Sequence, residues 1–145
     1  MKIYIGSDHA GFELKGKLIE FLKRLEYEVE DKGAFTYDKN DDYPAFIIPV
    51  AQAIANDPEH SRGIVLGGSG QGEAMVTDRF PHISTATWYG GSLDPLRLSR
   101  EHNDANVLSL GARFISEEEA KDAVKIWLET PFSNDERHVR RLSKF

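Results

Sequence analysis

Two adjacent side chains with acid–base chemistry, Asp8 and His9, stand between glycines in the stretch GSDHAG. The stretch directly follows the apolar residues Ile3 and Ile5, so the pair comes where a first buried strand would end. A turn from a strand into a helix needs one glycine for its backbone, but it needs no carboxylate beside an imidazole. The pair therefore indicates a functional site at the end of the first strand.

A second candidate stretch, GGSGQGE, covers residues 67–73 and also follows an apolar run. Its glycines allow backbone N–H groups to turn inward and approach an anion or a developing oxyanion closely. Glu73 follows the loop directly, where it either complements the dipole of the next helix or acts as a general base. A dinucleotide fingerprint would need Gly at position 73, and no Gly-Lys-Ser/Thr of a P-loop is present. Tight packing of the loop is the alternative explanation of its glycines.

The last third of the chain adds imidazole, amide and guanidinium groups. The stretch REHNDAN holds His102 and Asn103 between a predicted helix and a predicted strand. In ERHVRR, Arg137 and Arg141 are four residues apart and share one helix face, with Arg140 nearby. Two guanidiniums on one face can clamp a phosphate. A helix cap for Asn103 and a solvated terminal helix for the arginines are the alternatives.

Hydrophobic periodicity predicts the elements that must position these side chains. Strands are predicted at residues 2–5, 27–31, 63–66, 83–88 and 107–110, and helices at residues 12–25, 43–55, 73–80, 94–102, 116–128 and 135–144. Strands that alternate with helices are typical of an α/β fold with a doubly wound parallel sheet. Ligands of such folds bind beyond the carboxyl ends of the strands. We therefore expect the two glycine-flanked stretches to lie on the same rim.

Length and composition limit the remaining possibilities. The chain has 145 residues, which suggests a single domain over residues 1–145, and 40% are hydrophobic, enough for one core. The formal charge of −6 argues against a general nucleic-acid binder. There is no cysteine, which excludes disulfides and a thiolate nucleophile, and we expect no metal and no cofactor. No stretch predicts a signal peptide or a membrane span, so we expect a cytoplasmic protein.

Six stretches in a fixed order, GSDHAGFELK, DKG, DYP, GGSGQGE, REHNDANVLSLGAR and RHVRR, resemble the ribose-5-phosphate isomerase B / galactose-6-phosphate isomerase family. The resemblance covers nearly the whole chain. It implies a Rossmann-like, five-stranded parallel sheet with an additional C-terminal helix. It also implies a homodimer with shared active sites, sometimes paired into a tetramer, which isomerises a phosphorylated sugar through an enediolate without a metal or a nucleotide.

The resemblance also implies a role for each chemical stretch. The loop amides stabilise the oxyanion, Glu73 moves the proton, His102 opens the sugar ring and arginines hold the phosphate. The implied catalytic residues are Glu73, His102 and Ser69, and the implied substrate-binding residues are Asp8, His9, Tyr43, Gly67, Gly68, Gly70, Asn103, Arg113, Arg137 and Arg141.

The chain departs from the family pattern in places that bear on the base and the substrate. One branch of the family carries a Cys base at the position of Gly67, whereas a second branch places a Glu where this chain has Glu73. The pair Asp78-Arg79 and the segment 88–91, Trp-Tyr-Gly-Gly, differ from the usual residues. The predicted reaction is the interconversion of ribose 5-phosphate and ribulose 5-phosphate. The alternatives are a tetrose such as erythrulose 4-phosphate, a hexose such as allose 6-phosphate, a non-catalytic sugar-phosphate-binding protein and, third, a nucleotide-binding module.

Overall fold

Strands and helices alternate along the computed structural model, which describes all residues 1–145. The strands are β1 (Lys2–Ser7), β2 (Glu28–Asp31), β3 (Ser61–Gly67), β4 (Thr85–Trp88) and β5 (Val107–Gly111). The helices are α1 (Phe12–Arg24), α2 (Pro44–Asn56), α3 (Gln71–Thr77), α4 (Asp94–Glu101), α5 (Glu117–Glu129) and α6 (Glu136–Leu142). The strands form one parallel sheet in the order β2-β1-β3-β5-β4, which confirms the predicted fold class.

Helices cover both faces of the sheet, as the uninterrupted apolar sequences of its central strands require. On one face, α1, α4 and α5 pack over the larger core, whose biggest side chain is Trp127. On the other face, α2 contributes Ile47, Val50 and Ile54, which pack against Val65 of β3. The helix α3 lies beside α2 on this second face.

The direction of the connections changes between β1 and β3, which are neighbours in the sheet. The chain leaves β1 for α1 on one face, and it leaves β3 for α3 on the opposite face. A crevice therefore opens between the two following loops, at the carboxyl edge of the sheet. Both glycine-flanked stretches reach this crevice, as the sequence predicts.

The opposite, amino edge of the sheet holds a second group of chemical side chains. Because β4 and β5 are parallel, α4 runs back toward their amino ends and ends at His102. There the Asn106 amide accepts from the Ser84 N–H at 3.0 Å and donates to the His82 carbonyl at 2.7 Å. Strand β5 has five residues, so the two edges lie about 15 Å apart.

Several boundaries differ from the predicted ones. Gly6 and Ser7 belong to β1, because they pair with Val65 and Leu66 of β3. The helix α3 covers Gln71–Thr77 rather than residues 73–80, since Gly70 with φ of 77° ends the loop earlier. A capping box formed by Ser116 and Glu119 begins α5, with the Glu119 N–H donating to Ser116 Oγ at 3.1 Å. No helix of the chain has both the length and the apolar character needed to cross a bilayer.

Candidate active site

The carboxylate of Glu73 lies directly against the backbone of Gly67. A Cβ atom at position 67 would stand 1.9 Å from Glu73 Oε1 and 2.1 Å from its Cδ, so only glycine leaves room for this carboxylate. Glu73 is only 4% exposed, although it is the third residue of α3 and lies in the first turn of that helix. Burial raises the pKa of the Glu73 carboxyl, and the nearby Asp8 carboxylate raises it further. A carboxyl with a raised pKa is suited to take up and return a proton.

The loop between β3 and α3 presents backbone donors beside this carboxylate. The N–H groups of Gly68, Ser69 and Gly70 donate no hydrogen bond within the chain. Strand β5 anchors this loop, because Ser109 Oγ donates to the Gly70 carbonyl at 2.6 Å. Gly70 adopts a left-handed backbone conformation in which a side chain would be strained. These free amides are able to bind an anion or a developing oxyanion.

Asp8 and His9 lie at the carboxyl end of β1, where a third residue holds them. Asp8 Oδ1 accepts from the Ala10 N–H at 2.9 Å, which turns the chain toward α1. His9 makes two contacts with Asp41: its Nδ1 lies 2.6 Å from Asp41 Oδ1, and its backbone N–H donates to the same oxygen at 3.1 Å. A proton held on Nδ1 by Asp41 leaves the Nε2 of His9 free for a ligand.

Asp41 is a site residue that the sequence analysis missed. It lies in the polar loop after β2, and only the folded loop brings it 32 positions back along the chain to His9. Lys15 helps to anchor the start of that loop, because its buried Nζ donates to Asp31 Oδ1 at 2.6 Å and to the Ala34 carbonyl at 2.7 Å. Asp8, His9 and Asp41 also offer three ligand atoms within 4.8 Å of one another, a geometry that could hold a metal ion.

A cavity of about 370 Å³ at the carboxyl edge is lined by residues from both loops, the one after β1 and the one after β3. Arg113 follows β5, and its backbone N–H donates to the Gly68 carbonyl at 3.1 Å, which places a guanidinium with no ion-pair partner beside the loop. The ring of Tyr43 packs on Gly72, where an added Cβ would lie 2.8 Å from Tyr43 Oη. The cavity is lined by Asp8, Tyr43, Gly68, Ser69, Gly72, Glu73, Arg113 and Phe114. Six of these eight are residues that the sequence analysis assigns to the site; Gly72 and Phe114 are additions.

Four other implied site residues, His102, Asn103, Arg137 and Arg141, lie at the amino edge instead. The ring of His102 stacks on that of His138 from α6, with centroids 4.2 Å apart and planes 15° apart. Asn103 lines a larger cavity of about 590 Å³ at this edge, with Arg62 and Leu142 among its walls. Arg137 and Arg141 are exposed and make no ion pair within the chain. One chain therefore does not bring His102, Asn103, Arg137 and Arg141 to Glu73.

Comparisons with known proteins agree on one family. Residues 3–145 match the family described as Ribose/Galactose Isomerase. The ribose-5-phosphate isomerase B of Mycolicibacterium paratuberculosis is 44% identical over 142 residues, covering 98% of this chain and 87% of that protein. The crystal structure of ribose-5-phosphate isomerase B from Mycoplasma genitalium with bound ribulose-5-phosphate has a TM-score of 0.94 at 35% identity, covering 99% of this chain and 92% of that one.

A further solved structure, the ribose-5-phosphate isomerase B of Clostridium thermocellum, has a TM-score of 0.91 at 41% identity and covers 99% of this chain and 94% of that one. The predicted resemblance is thus confirmed by sequence and by fold along nearly the full length. The matching stretches include both glycine-flanked loops that form the cavity at the carboxyl edge. The chain therefore belongs to the ribose/galactose isomerase family and is, by class, an aldose–ketose isomerase of sugar phosphates.

Proposed function

We propose that this chain interconverts ribose 5-phosphate and ribulose 5-phosphate, with Glu73 as the base, in a homodimer that shares its active sites. The position of Glu73 is the observation that carries the proposal. Its carboxylate is buried, it lies against Gly67, and free loop amides stand beside it in a cavity open to a small anion. The relative from Mycoplasma genitalium, whose structure contains ribulose-5-phosphate, supports the choice of substrate.

The chemistry asks for a proton to move between two adjacent carbons of the sugar. Glu73 removes the proton from C2 of the open-chain aldose and delivers it to C1, while the hydroxyl proton passes from O2 to O1; the reverse reaction runs from C1 to C2. An enediolate forms between the two transfers, and its negative oxygen needs donors that are already in place. The N–H groups of Gly68, Ser69 and Gly70 supply such donors, and these backbone amides neither gain nor lose a proton themselves.

The space at position 67 favours Glu73 over a base carried at position 67 itself. In the branch of the family with a Cys base at that position, the side chain would begin where the Glu73 carboxylate lies here. The two arrangements therefore exclude one another, because a Cβ at position 67 and this carboxylate cannot occupy the same volume. A chain without cysteine and with Gly67 fits the branch in which the carboxylate acts.

Ring opening and phosphate binding require the second subunit of the proposed dimer. His102, Asn103, Arg137 and Arg141 lie at the amino edge, about 15 Å from the loop that holds Glu73. If the amino edge of one subunit covers the carboxyl edge of the other, each cavity gains an imidazole for ring opening and two guanidiniums for the phosphate. Arg113 already lines the cavity at the carboxyl edge, and His9 lies at that edge beside Asp8.

An activity panel tests the proposal and separates its alternatives. The wild-type protein and Glu73→Gln are assayed with ribose 5-phosphate, allose 6-phosphate and erythrulose 4-phosphate. We expect turnover to be highest with ribose 5-phosphate and to require Glu73. A higher kcat/KM with the hexose or the tetrose would reassign the substrate. Binding of all three without turnover would indicate a sugar-phosphate-binding protein.

The cytoplasmic location that the sequence analysis expects stays a prediction.

A further inference from the structure

The imidazole of His138 is a buried titratable group to which neither the sequence analysis nor the proposed mechanism gives a role. It lies on α6 between the two arginines of the implied phosphate clamp, and it is 4% exposed. Its Nε2 is shut off from solvent and has no hydrogen-bond partner, the nearest carboxylate oxygen, Asp135 Oδ2, being 4.0 Å away. A buried imidazole nitrogen without a hydrogen-bond partner destabilises the fold. A function for His138 would explain why the imidazole is kept at this buried position.

The only ring that His138 faces is that of His102. The stack is nearly parallel, at 15° and 4.2 Å, so His138 covers one face of the His102 ring. The side chain of His102 remains 33% exposed and so presents its outer edge to solvent, with its Nε2 3.9 Å from Glu101 Oε1. One member of the pair is thus fixed in the protein, and the other has an accessible edge.

Burial and the charged groups around His138 disfavour its protonated form. Burial lowers the pKa of His138, and His102, Arg137 and Arg141 lower it further, whereas Asp135 opposes them. His138 is therefore neutral near pH 7, because the positive groups outnumber the one carboxylate that faces it. An imidazolium over the face of a neutral ring is stabilised as a cation–π pair, whereas two stacked imidazoliums repel.

We propose that His138 is the positioning residue for His102: its buried ring stacks on the ring of His102 and holds the plane of that ring. The inference rests on the proposed function, in which His102 opens the ring of the substrate. Ring opening requires a donor aimed at the ring oxygen, and a freely rotating, exposed imidazole is aimed poorly. The stack on a buried, neutral partner removes that freedom without adding a second charge.

Two assays separate ring opening from proton transfer between carbons. Ribose 5-phosphate is mainly cyclic, so its conversion needs both steps. Ribulose 5-phosphate cannot close a ring, since its C5 oxygen carries the phosphate, and exchange of its C1 proton with D2O therefore needs only the base. The variants are His138→Ala, which removes the flat partner, and His138→Phe, which keeps a flat neutral ring. His60→Ala is the matched control, because the side chain of His60 is 77% exposed and its polar contact is with Asp57, with Nδ1 2.8 Å from Asp57 Oδ1.

We expect His138→Ala to lower the turnover of ribose 5-phosphate by roughly 10- to 100-fold, the usual range for a misaligned general acid. Exchange at C1 of ribulose 5-phosphate should stay within about twofold of wild type, since only the base is involved. His138→Phe should recover most of the lost turnover, and His60→Ala should match wild type in both assays.

Equal losses in both assays, no loss in either, or a Phe variant as poor as the Ala variant would overturn the inference. A wild-type protein that neither converts ribose 5-phosphate nor exchanges the C1 proton of ribulose 5-phosphate would instead overturn the proposed function itself.

Discussion

Adding one methyl group at Gly67 should displace the Glu73 carboxylate and abolish most of the activity. The Cβ of Gly67→Ala would stand 1.9 Å from Glu73 Oε1, whereas ordinary contacts begin at 3.4 Å. The carboxylate must therefore move by about 1.5 Å. A misplacement of about 1 Å typically costs 10²-fold in rate, so kcat should fall by at least about 100-fold, or about 2.7 kcal/mol.

The same substitution should leave the fold nearly intact. The three atoms nearest to the added Cβ all belong to the Glu73 carboxylate, the free end of a flexible side chain, rather than to backbone. The matched control is Gly16→Ala in α1, where no heavy atom lies within 4 Å of the added Cβ. That variant should keep full activity, with a gain in helix stability of up to about 1 kcal/mol.

Turnover of ribose 5-phosphate and the thermal midpoint of unfolding are measured for both alanine variants and for Glu73→Gln. Gly67→Ala and Glu73→Gln should lose similar amounts of kcat, and the double variant should lose little more, because both changes remove the same base. A folded Gly67→Ala protein with wild-type turnover would refute the assignment of the base. Loss of activity together with a collapsed midpoint would refute the expected tolerance of the fold.

Four further predictions concern the base, the dimer, the phosphate clamp and the absence of a metal. Burial raises the pKa of Glu73 because it disfavours the charged carboxylate, so kcat/KM should fall as the pH is lowered through that pKa and the base is protonated. Glu73→Gln removes the buried charge, so this variant should melt at a higher temperature than wild type at neutral pH. This difference should shrink as the pH falls toward the usual carboxyl value of 4.5, and a constant difference would contradict the cause of the shift. Mixing the inactive variants Glu73→Gln and Arg137→Ala should restore part of the activity, since one of the two sites in a mixed dimer is intact; no rescue despite proven subunit exchange would indicate sites within one chain. Arg141→Ala should raise KM for the phosphorylated sugar about 10- to 100-fold, Arg141→Lys should recover only part, and Arg140→Ala should matter less; the reverse order would reassign the clamp. Activity should survive a chelator and thiol reagents, and inactivation by the chelator that added divalent metal reverses would identify Asp8, His9 and Asp41 as a metal site.

The sequence predicts the sheet and its functional rim well because both follow from local patterns. Strand-length apolar runs that end in GSDHAG and GGSGQG fix where the parallel strands leave the core, and the rule for α/β sheets then brings the two loops together. The boundary of α3 was less predictable. The left-handed Gly70 starts the helix at Gln71, two residues before the predicted start, and helix periodicity carries no signal for a backbone conformation of this kind.

The contacts that complete the site form only in the tertiary structure, so no local sequence pattern predicts them. Asp41 is one of several acids in a polar loop, and only the fold shows that it holds His9. His138 lies in a helix whose basic composition predicts exposure to solvent, yet its side chain is buried against His102. The contact between Gly67 and the Glu73 carboxylate is equally invisible in the sequence, although it gives the physical reason for a glycine at that position.

Proton transfer by Glu73 is tested most directly by NMR of ribose 5-phosphate incubated in D2O with wild-type protein and with Glu73→Gln. An enediolate mechanism with a carboxylate base predicts ribulose 5-phosphate that carries solvent deuterium at C1 in at least part of the wild-type product. It also predicts that Glu73→Gln forms this product at least about 100-fold more slowly while its fold is preserved. Equal rates for the two proteins would contradict the proposed transfer of the proton by Glu73.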